Sequence, residues 1–282
     1  MPLPYVVADV FTDRPLEGNG VAVFTAADGP DDVTMQRLAR ELNLSETVFA
    51  TPPRRGGDAA IRIFTPSAEL PFAGHPVLGT AFVLAKPGQD EITLETKAGD
   101  VPLALERDGA GRLTFGRMAQ PLPSSDDFDA EARLLAALGV ARSELPIGAY
   151  TNGPQTLYVA LDSPQAVSAL TPDMHALAAL RANICCFADA GSFWRARVFG
   201  PHLGVPEDPA TGSAAGPLSL HLARNGVIEF GAEIEIHQGD EIGRPSILHS
   251  RTVGSLETIE RIEVGGRAVI VARGEFDIGG AA

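Results

Sequence analysis

The stretch Pro206–Ala223, PEDPATGSAAGPLSLHLA, contains the pattern on which the predicted fold depends. It opens with two carboxylates, Glu207 and Asp208, between prolines that restrict the backbone. Residues 211–213 (Thr-Gly-Ser) favour a helix N-terminus, and those after them are almost all small or apolar. This predicts polar groups at the N-terminus of a buried helix, where backbone N–H groups and the helix dipole favour an anion. A capped core helix without a ligand explains this stretch alone equally well.

A second copy of the pattern lies at Ile61–Ala85, IRIFTPSAELPFAGHPVLGTAFVLA. Both copies have a strand of the form R-x-F-x-P, a turn containing E-x-P, a glycine and an apolar helix. The glycines are Gly74 and Gly212, followed by His75 in one copy and by Ser213 in the other. We therefore predict two related domains whose equivalent helix N-termini face one another across a cleft, a common place for a small-molecule site.

The domain boundary is predicted in the Pro-rich, polar segment after residue 118. We expect an N-terminal domain at 1–118, a linker at 119–128 and a C-terminal domain at 129–282, and a return of the last strand to the N-terminal domain stays open. In the second domain, Thr171 is predicted to cap a helix, with proline at its first position. Cys185 and Cys186 are adjacent in a predicted buried strand and point to opposite faces, which indicates core thiols.

Composition limits the classes of function. The 282 residues are enough for two domains, each with its own core. A net charge of −14 without a cluster of Lys and Arg argues against a nucleic-acid partner. No apolar run approaches the ~18 residues needed to cross a bilayer, and the N-terminus lacks the pattern of a secretory signal. We therefore expect a cytoplasmic protein with no membrane partner.

Two polar residues in the first half of the chain are candidate site residues because of their positions. Glu46 begins an apolar strand directly after an amphipathic helix, although a lone glutamate there is more commonly an exposed strand end. Asn19 lies in a predicted loop between Gly18 and Gly20. Its G-x-G pattern is not a dinucleotide-binding motif, because the third glycine is missing and a strand, not a helix, follows.

Five motifs together resemble the phenazine-biosynthesis-like (PhzF-like) family over nearly the whole chain. In chain order they are DVFTDRPLEGNGVAVF, LARELNLSETVF, RIFTPSAELPFAGHPVLGTA, GVPEDPATGSAAGPL and GDEIGRPS. The resemblance implies the α/β (α+β) fold of diaminopimelate epimerase, with two similar domains, each a curved, mostly antiparallel sheet around a central apolar helix. One departure is Gly20, which stands where the family usually has proline.

The resemblance also implies a function. It implies a homodimeric isomerase without cofactor or metal, which moves a proton between carbons of a small carboxylate-bearing substrate by acid–base catalysis. The family's phenazine-pathway member acts on a dihydro-hydroxyanthranilate. The glutamate that moves the proton there corresponds to Glu46. The predicted substrate-binding residues are His75, Asp208, Ser213, Gly74, Gly212 and Asn19.

Other classes fit less well. A two-base epimerase would carry cysteine at each helix N-terminus, where His75 and Ser213 stand. A serine hydrolase would place its nucleophile in G-x-S-x-G, whereas Ser213 lies in T-G-S-A-A. A metalloenzyme needs clustered ligands, and the six histidines are scattered. A catalytically inactive binding or regulatory protein on the same fold stays open.

Overall fold

The computed structural model describes residues 2–26 and 29–278. The fold is mixed α+β, with many strands and few helices, as the resemblance implies. It divides into two compact units. One runs to Ala119 and resumes at Gly265, and the other is Gln120–Val264. Within the described ranges, no helix has the length and apolar character needed to cross a bilayer.

The first unit surrounds the helix Gly74–Leu84 with strands. This helix contacts the strands Pro2–Val10, Asn19–Phe24, Glu46–Thr51, Glu91–Thr96, Gly99–Arg107 and Ala268–Asp277. Its first two turns are buried. The close packing requires glycine at Gly79, because an added Cβ would lie 2.5 Å from Val21 Cγ1 and 2.7 Å from Val10 Cγ2. The elements are β1 (Pro2–Val10), β2 (Asn19–Phe24), α1 (Asp32–Leu42), β3 (Glu46–Thr51), β4 (Ala59–Phe64), β5 (Glu69–Leu70), α2 (Gly74–Leu84), β6 (Glu91–Thr96), β7 (Gly99–Arg107), β8 (Leu113–Gln120) and β18 (Ala268–Asp277).

The second unit is built in the same way around the helix Gly212–Arg224. This helix contacts the strands Gln155–Ala160, Glu233–Gln238 and Ser246–Gly254. At Gly216 an added Cβ would lie 2.3 Å from Gln120 Oε1 and 2.8 Å from Ile262 Cγ2. The elements are β9 (Ser124–Asp126), α3 (Glu131–Leu138), β10 (Gly148–Thr151), β11 (Gln155–Ala160), α4 (Pro164–Ser168), α5 (Met174–Ala178), β12 (Asn183–Asp189), β13 (Trp194–Gly200), β14 (Val205–Asp208), α6 (Gly212–Arg224), β15 (Glu233–Gln238), β16 (Ser246–Gly254) and β17 (Ile259–Gly266).

The strand pairing repeats in both units. In the first, β2–β3 and β4–β6 are parallel, whereas β1–β2, β3–β4, β4–β5 and β6–β7 are antiparallel. In the second, β11–β12 and β13–β15 are parallel, whereas β10–β11, β12–β13, β13–β14 and β15–β16 are antiparallel. The central helix follows β5 in one unit and β14 in the other, so the sequence repeat corresponds to a repeat of topology.

Two segments differ from their sequence-based description. The predicted linker 119–128 contains β9, which pairs with β10 of the second unit. Thr171 is not a helix cap: α5 begins at Met174, and the Asp173 carboxylate accepts the Ala176 N–H at 3.0 Å. Asp173 therefore takes the capping position predicted for Thr171, two residues further along the chain.

The prediction of two core thiols is confirmed. Cys185 and Cys186 are buried and free in β12, where they lie opposite Val198 and Arg197 of β13. Burial raises both thiol pKa values, that of Cys186 to about 12. Both therefore remain protonated near neutral pH and are poor nucleophiles.

Candidate active site

Three of the predicted site residues meet within the first unit. Asn19 is the first residue of β2, Glu46 the first of β3, and His75 the second of α2. Because β2 and β3 run parallel, with Val21 opposite Glu46, both strands begin at the same edge of the sheet. Asn19 Nδ2 lies 3.3 Å from His75 Nδ1, and His75 Nε2 lies 3.4 Å from Glu46 Oε2.

These three side chains are largely removed from solvent. Asn19 is 1 % exposed and His75 is 3 % exposed, and the Glu46 side chain is 14 % exposed. A carboxyl group with so little solvent around it, beside a hydrogen-bonding imidazole, can take up and return a proton without competition from bulk water. The first unit therefore brings the predicted catalytic Glu46 together with two of the predicted binding residues, Asn19 and His75.

The imidazole of His75 is neutral at physiological pH. Burial lowers the pKa of His75 to about 3, against the opposing effect of a backbone hydrogen bond with Gly20. The approach of His75 to Glu46 is therefore a contact between a neutral ring and a carboxyl group rather than an ion pair. A neutral imidazole offers one N–H donor and one acceptor nitrogen. Gly20, at the position of the family proline, thus contacts the site through its backbone.

Asn19 lies in a strand and not, as predicted, in a loop. It pairs with Val10 of β1. Gly18 before it has a φ of +67°, and a Cβ there would lie 2.3 Å from the Val10 carbonyl oxygen. The loop therefore ends at Gly18, two residues before its predicted end at Gly20, and its last position requires glycine.

The second unit holds the other predicted polar residues. Asp208 is the last residue of β14, and Ser213 is the second residue of α6, which begins at Gly212. Ser213 is buried and Asp208 is half-buried. The Thr211 hydroxyl donates a hydrogen bond to Asp208 Oδ2 at 2.6 Å.

Both central helices begin without a side-chain cap. The N-cap residues are Ala73 for α2 and Thr211 for α6, and neither side chain accepts a hydrogen bond from its helix. The first residues, Gly74 and Gly212, carry no side chain that could cover the backbone. Such N-termini suit a carboxylate or a developing negative charge. The predicted anion binding at both glycines stays a prediction.

Glu207, the neighbour of Asp208, belongs to the scaffold. Its carboxylate accepts from Arg197 Nε at 2.9 Å and from Nη2 at 2.8 Å. Glu69 and Arg62 form the same two-bond pair in the first unit, with both distances 2.8 Å. The arginine and glutamate of the sequence repeat therefore form the same two-bond ion pair in both units.

One buried residue at the second helix N-terminus was not predicted. Gln238, at the end of β15, is 2 % exposed and hydrogen-bonds to Thr211 and to the Asp208 backbone. A sequence signal for it exists, because Ile234, Ile236 and Gln238 are the buried positions of an alternating strand. A glutamine at an apolar position of such a strand, directly before GDEIGRPS, indicates a specific buried partner.

No metal site emerges from the described part of the chain: it holds no group of three or more His, Cys, Asp or Glu side chains able to bind an ion.

Comparison with known proteins identifies the family. Residues 8–274 match the phenazine biosynthesis-like protein family, PhzC-PhzF, and the chain belongs to that family. It is 51% identical over 272 residues to the trans-2,3-dihydro-3-hydroxyanthranilate isomerase of Pseudomonas aeruginosa, covering 96% of this chain and 98% of the relative. The enzyme of that name from Pseudomonas fluorescens is 52% identical, with the same length and coverage. The protein is an isomerase of this family.

Solved structures agree with the fold. A phenazine biosynthesis protein of the PhzF family from Bacillus anthracis matches with a TM-score of 0.85 at 26% identity, covering 99% of this chain and 100% of the other. A hydroxyproline epimerase from Agrobacterium vitis matches with a TM-score of 0.72 at 13% identity, covering 99% and 94%. The second likeness concerns the fold alone. The prediction of an epimerase-like fold is confirmed.

Proposed function

We propose that this protein isomerises trans-2,3-dihydro-3-hydroxyanthranilate, the compound named in its relatives, with Glu46 moving the proton. Support comes from identities of 51% and 52% over 96% of the chain. The observation that carries the role of Glu46 is its 3.4 Å approach to the neutral, buried His75. A small carboxylate-bearing substrate, predicted from the sequence, agrees with this compound.

In this proposal Glu46 acts first as base and then as acid. Its carboxylate takes a proton from one ring carbon, and the electron pair left behind shifts through the adjacent double bond. The resulting carboxylic acid returns the same proton to another ring carbon. Atoms and charge balance without a redox step, so the product is an isomer of the substrate.

Each neutral tautomer of His75 suits one protonation state of Glu46. An ionised carboxylate accepts a hydrogen bond from an imidazole N–H, whereas a protonated carboxyl donates one to an imidazole nitrogen. The other side of the ring meets the Asn19 amide and the Gly20 backbone. These partners hold the ring in place while Glu46 gains and loses its proton.

The substrate carries a carboxylate, an amine and a hydroxyl group. We assign its carboxylate, or the charge that develops during proton transfer, to the N–H groups at Gly74 and Gly212. Asp208 suits a hydrogen bond from the amine or hydroxyl, with Ser213 at the start of the same helix. That both helix N-termini serve one substrate molecule stays a prediction.

The test is the Glu46→Gln variant, assayed with trans-2,3-dihydro-3-hydroxyanthranilate. Glutamine has nearly the same shape but cannot cycle a proton, so kcat should fall by about 10²–10⁴-fold or more while ligand binding and the unfolding midpoint are retained. Glu41→Gln, at an exposed position of α1, is the matched control and should keep full activity.

Turnover by Glu46→Gln at the wild-type rate would refute the role of Glu46. Binding of the compound by the wild-type protein without any turnover would instead support the inactive binding protein. Product formation followed by proton NMR in D₂O separates these results.

The homodimer implied by the resemblance is part of the proposal. Light scattering at micromolar concentration should give a particle of twice the 29.5 kDa chain mass. A monomer under those conditions would refute the homodimer and leave the proposed chemistry unaffected.

A further inference from the structure

The side-chain amide of Gln238 connects three groups at the N-terminus of α6. Its Nε2 donates to the Asp208 carbonyl oxygen at 2.8 Å and to Thr211 Oγ1 at 3.0 Å. Its Oε1 accepts the Thr211 backbone N–H at 3.3 Å. Gln238 is 2 % exposed and Thr211 is 7 % exposed, so these bonds form with little competition from water.

The backbone groups around Gln238 determine the positions of its amide nitrogen and oxygen. A carbonyl can only accept and a backbone N–H can only donate, so Nε2 must face Asp208 and Oε1 must face Thr211. With Nε2 donating to Oγ1, the Thr211 hydroxyl directs its own hydrogen elsewhere. Its partner is Asp208 Oδ2, at 2.6 Å. Gln238 thereby sets the direction of the hydrogen bond that Thr211 donates to the Asp208 carboxylate.

The turn after Gln238 is anchored to the same segment. Gly239 has a φ of +87°, and a Cβ there would lie 2.3 Å from the Arg244 carbonyl oxygen and 2.6 Å from that of Pro209. The GDEIGRPS turn is therefore pressed against the residue that follows Asp208. A larger residue at 239 would push this turn, and Gln238 with it, away from Thr211.

We propose that Gln238 is a positioning residue that acts through Thr211 to hold the Asp208 carboxylate in one orientation for substrate binding. This rests on the role of Asp208 in the proposed function. The relay runs in series: Gln238 orients the Thr211 hydroxyl, and the hydroxyl orients the carboxylate. Loss of either link is then sufficient to break the relay.

The test is a double-mutant cycle with Thr211→Val and Gln238→Met, measured as kcat and KM for trans-2,3-dihydro-3-hydroxyanthranilate. A hydrogen bond to a charged group justifies an expected rise in KM of about tenfold for either variant, with kcat changed much less. Because the links are in series, the double variant should be no worse than the single ones. Thr211→Ser retains the hydroxyl and should restore the wild-type KM.

Thr252→Val is the matched control. Thr252 is also a buried threonine of the second unit, and its hydroxyl hydrogen-bonds to Ser219 Oγ at 2.8 Å, away from Asp208. It should lower the unfolding midpoint without changing KM. If Gln238→Met does not fold, an unchanged KM in Thr211→Val still refutes the relay.

Three results would overturn the relay. They are additive effects in the double variant, a Thr211→Ser variant as impaired as Thr211→Val, and an unchanged KM in Thr211→Val although Asp208→Asn raises it. A wild-type KM in Asp208→Asn would refute the role of Asp208 in the proposed function, and the relay with it. The Asp208→Asn measurement therefore distinguishes the two failures.

Discussion

The two units share a scaffold and differ in the chemistry at their helix N-termini. Each has an arginine on the strand before the turn, stacked on a phenylalanine two residues later: the guanidinium carbon lies 5.1 Å from the ring centre in Arg62–Phe64 and 4.9 Å in Arg197–Phe199. Each arginine pairs with the glutamate of the turn. At the first helical turn, however, one unit has His75 and the other has Ser213. The shared residues build the turn, and the differing ones are the candidates for function.

The Arg–Glu pairs themselves differ in environment. The side chains of Arg62 and Glu69 are 27% and 16% exposed, whereas those of Arg197 and Glu207 are 8% and 9% exposed. Arg197 also donates to the carbonyl groups of Val167 and Ser168 in α4, at 3.3 Å each, and to that of Leu170, just after α4, at 2.8 Å. The Arg–Glu pair is therefore more deeply buried in the second unit than in the first.

The largest effect expected from this difference concerns Glu207→Gln. The change leaves the buried Arg197 guanidinium without its carboxylate, and breaking such a pair from one side costs about 3–5 kcal/mol. The free energy of unfolding from urea titrations should fall by that amount. A loss below about 1 kcal/mol would show that the carbonyl groups of α4 suffice to solvate Arg197.

The second prediction separates the helix N-termini. His75→Gln keeps a hydrogen-bonding side chain but loses the imidazole beside Glu46, so kcat should fall by about 10²-fold. Ser213→Ala removes only a hydroxyl group and should act mainly on KM. Equal kcat losses in both variants would mean that the two N-termini do not differ in chemical role.

The third prediction is pH dependence. Burial lowers the pKa of His75 to about 3 and that of His221, in α6, to about 4. Both folded-state values lie below the unfolded value near 6.5, so the unfolded chain binds more protons. The stability from these residues is complete above pH 6.5 and is lost as pH falls towards 4 and 3. The loss should approach about 1.4 kcal/mol per pH unit for each residue.

Urea unfolding between pH 7 and pH 5 measures this loss. His75→Gln and His221→Gln should each flatten the profile of stability against pH in this range, because the residue that takes up the proton on unfolding is gone. A profile unchanged in both variants would assign the acid sensitivity to other groups.

The smallest effect is expected at the surface of the first unit. Lys97 Nζ contacts Glu69 Oε2 at 2.6 Å, and the lysine side chain is 54% exposed. Solvent screens such a contact, so Lys97→Ala should change the free energy of unfolding by less than about 1 kcal/mol. A loss as large as that of Glu207→Gln would remove the contrast between the two Arg–Glu pairs.

The sequence allowed prediction of the elements whose pattern is local. The apolar helices after Gly74 and Gly212 follow from composition and from the repeat, and Arg62 and Arg197 mark equivalent strands. The five-residue helix α4 was missed because it is too short to show a helical period. Its cap, Ser163, is visible only once the helix is known.

The candidate site was less accessible to sequence analysis. His75 was identifiable from the repeat, but a lone glutamate at a strand start is ambiguous, and Glu46 required the family resemblance. Gln238 was missed because its partners, Asp208 and Thr211, lie 30 and 27 residues earlier. Strand register brings them together, and no local pattern encodes that register.

The pairing of β18 with β1 has a consequence for the order of folding. Gln120–Val264 forms one continuous unit, so none of its strands depends on a segment from the other end of the chain for its place in the sequence. The first unit, although it begins earlier, lacks the partner on one side of β1 until Ala268–Asp277 has been synthesised. During that interval β1 presents an open edge, to which another chain could add a strand. Pairing across almost the entire length of the protein is also slow to form, so closure of this edge is expected to be the last event of folding.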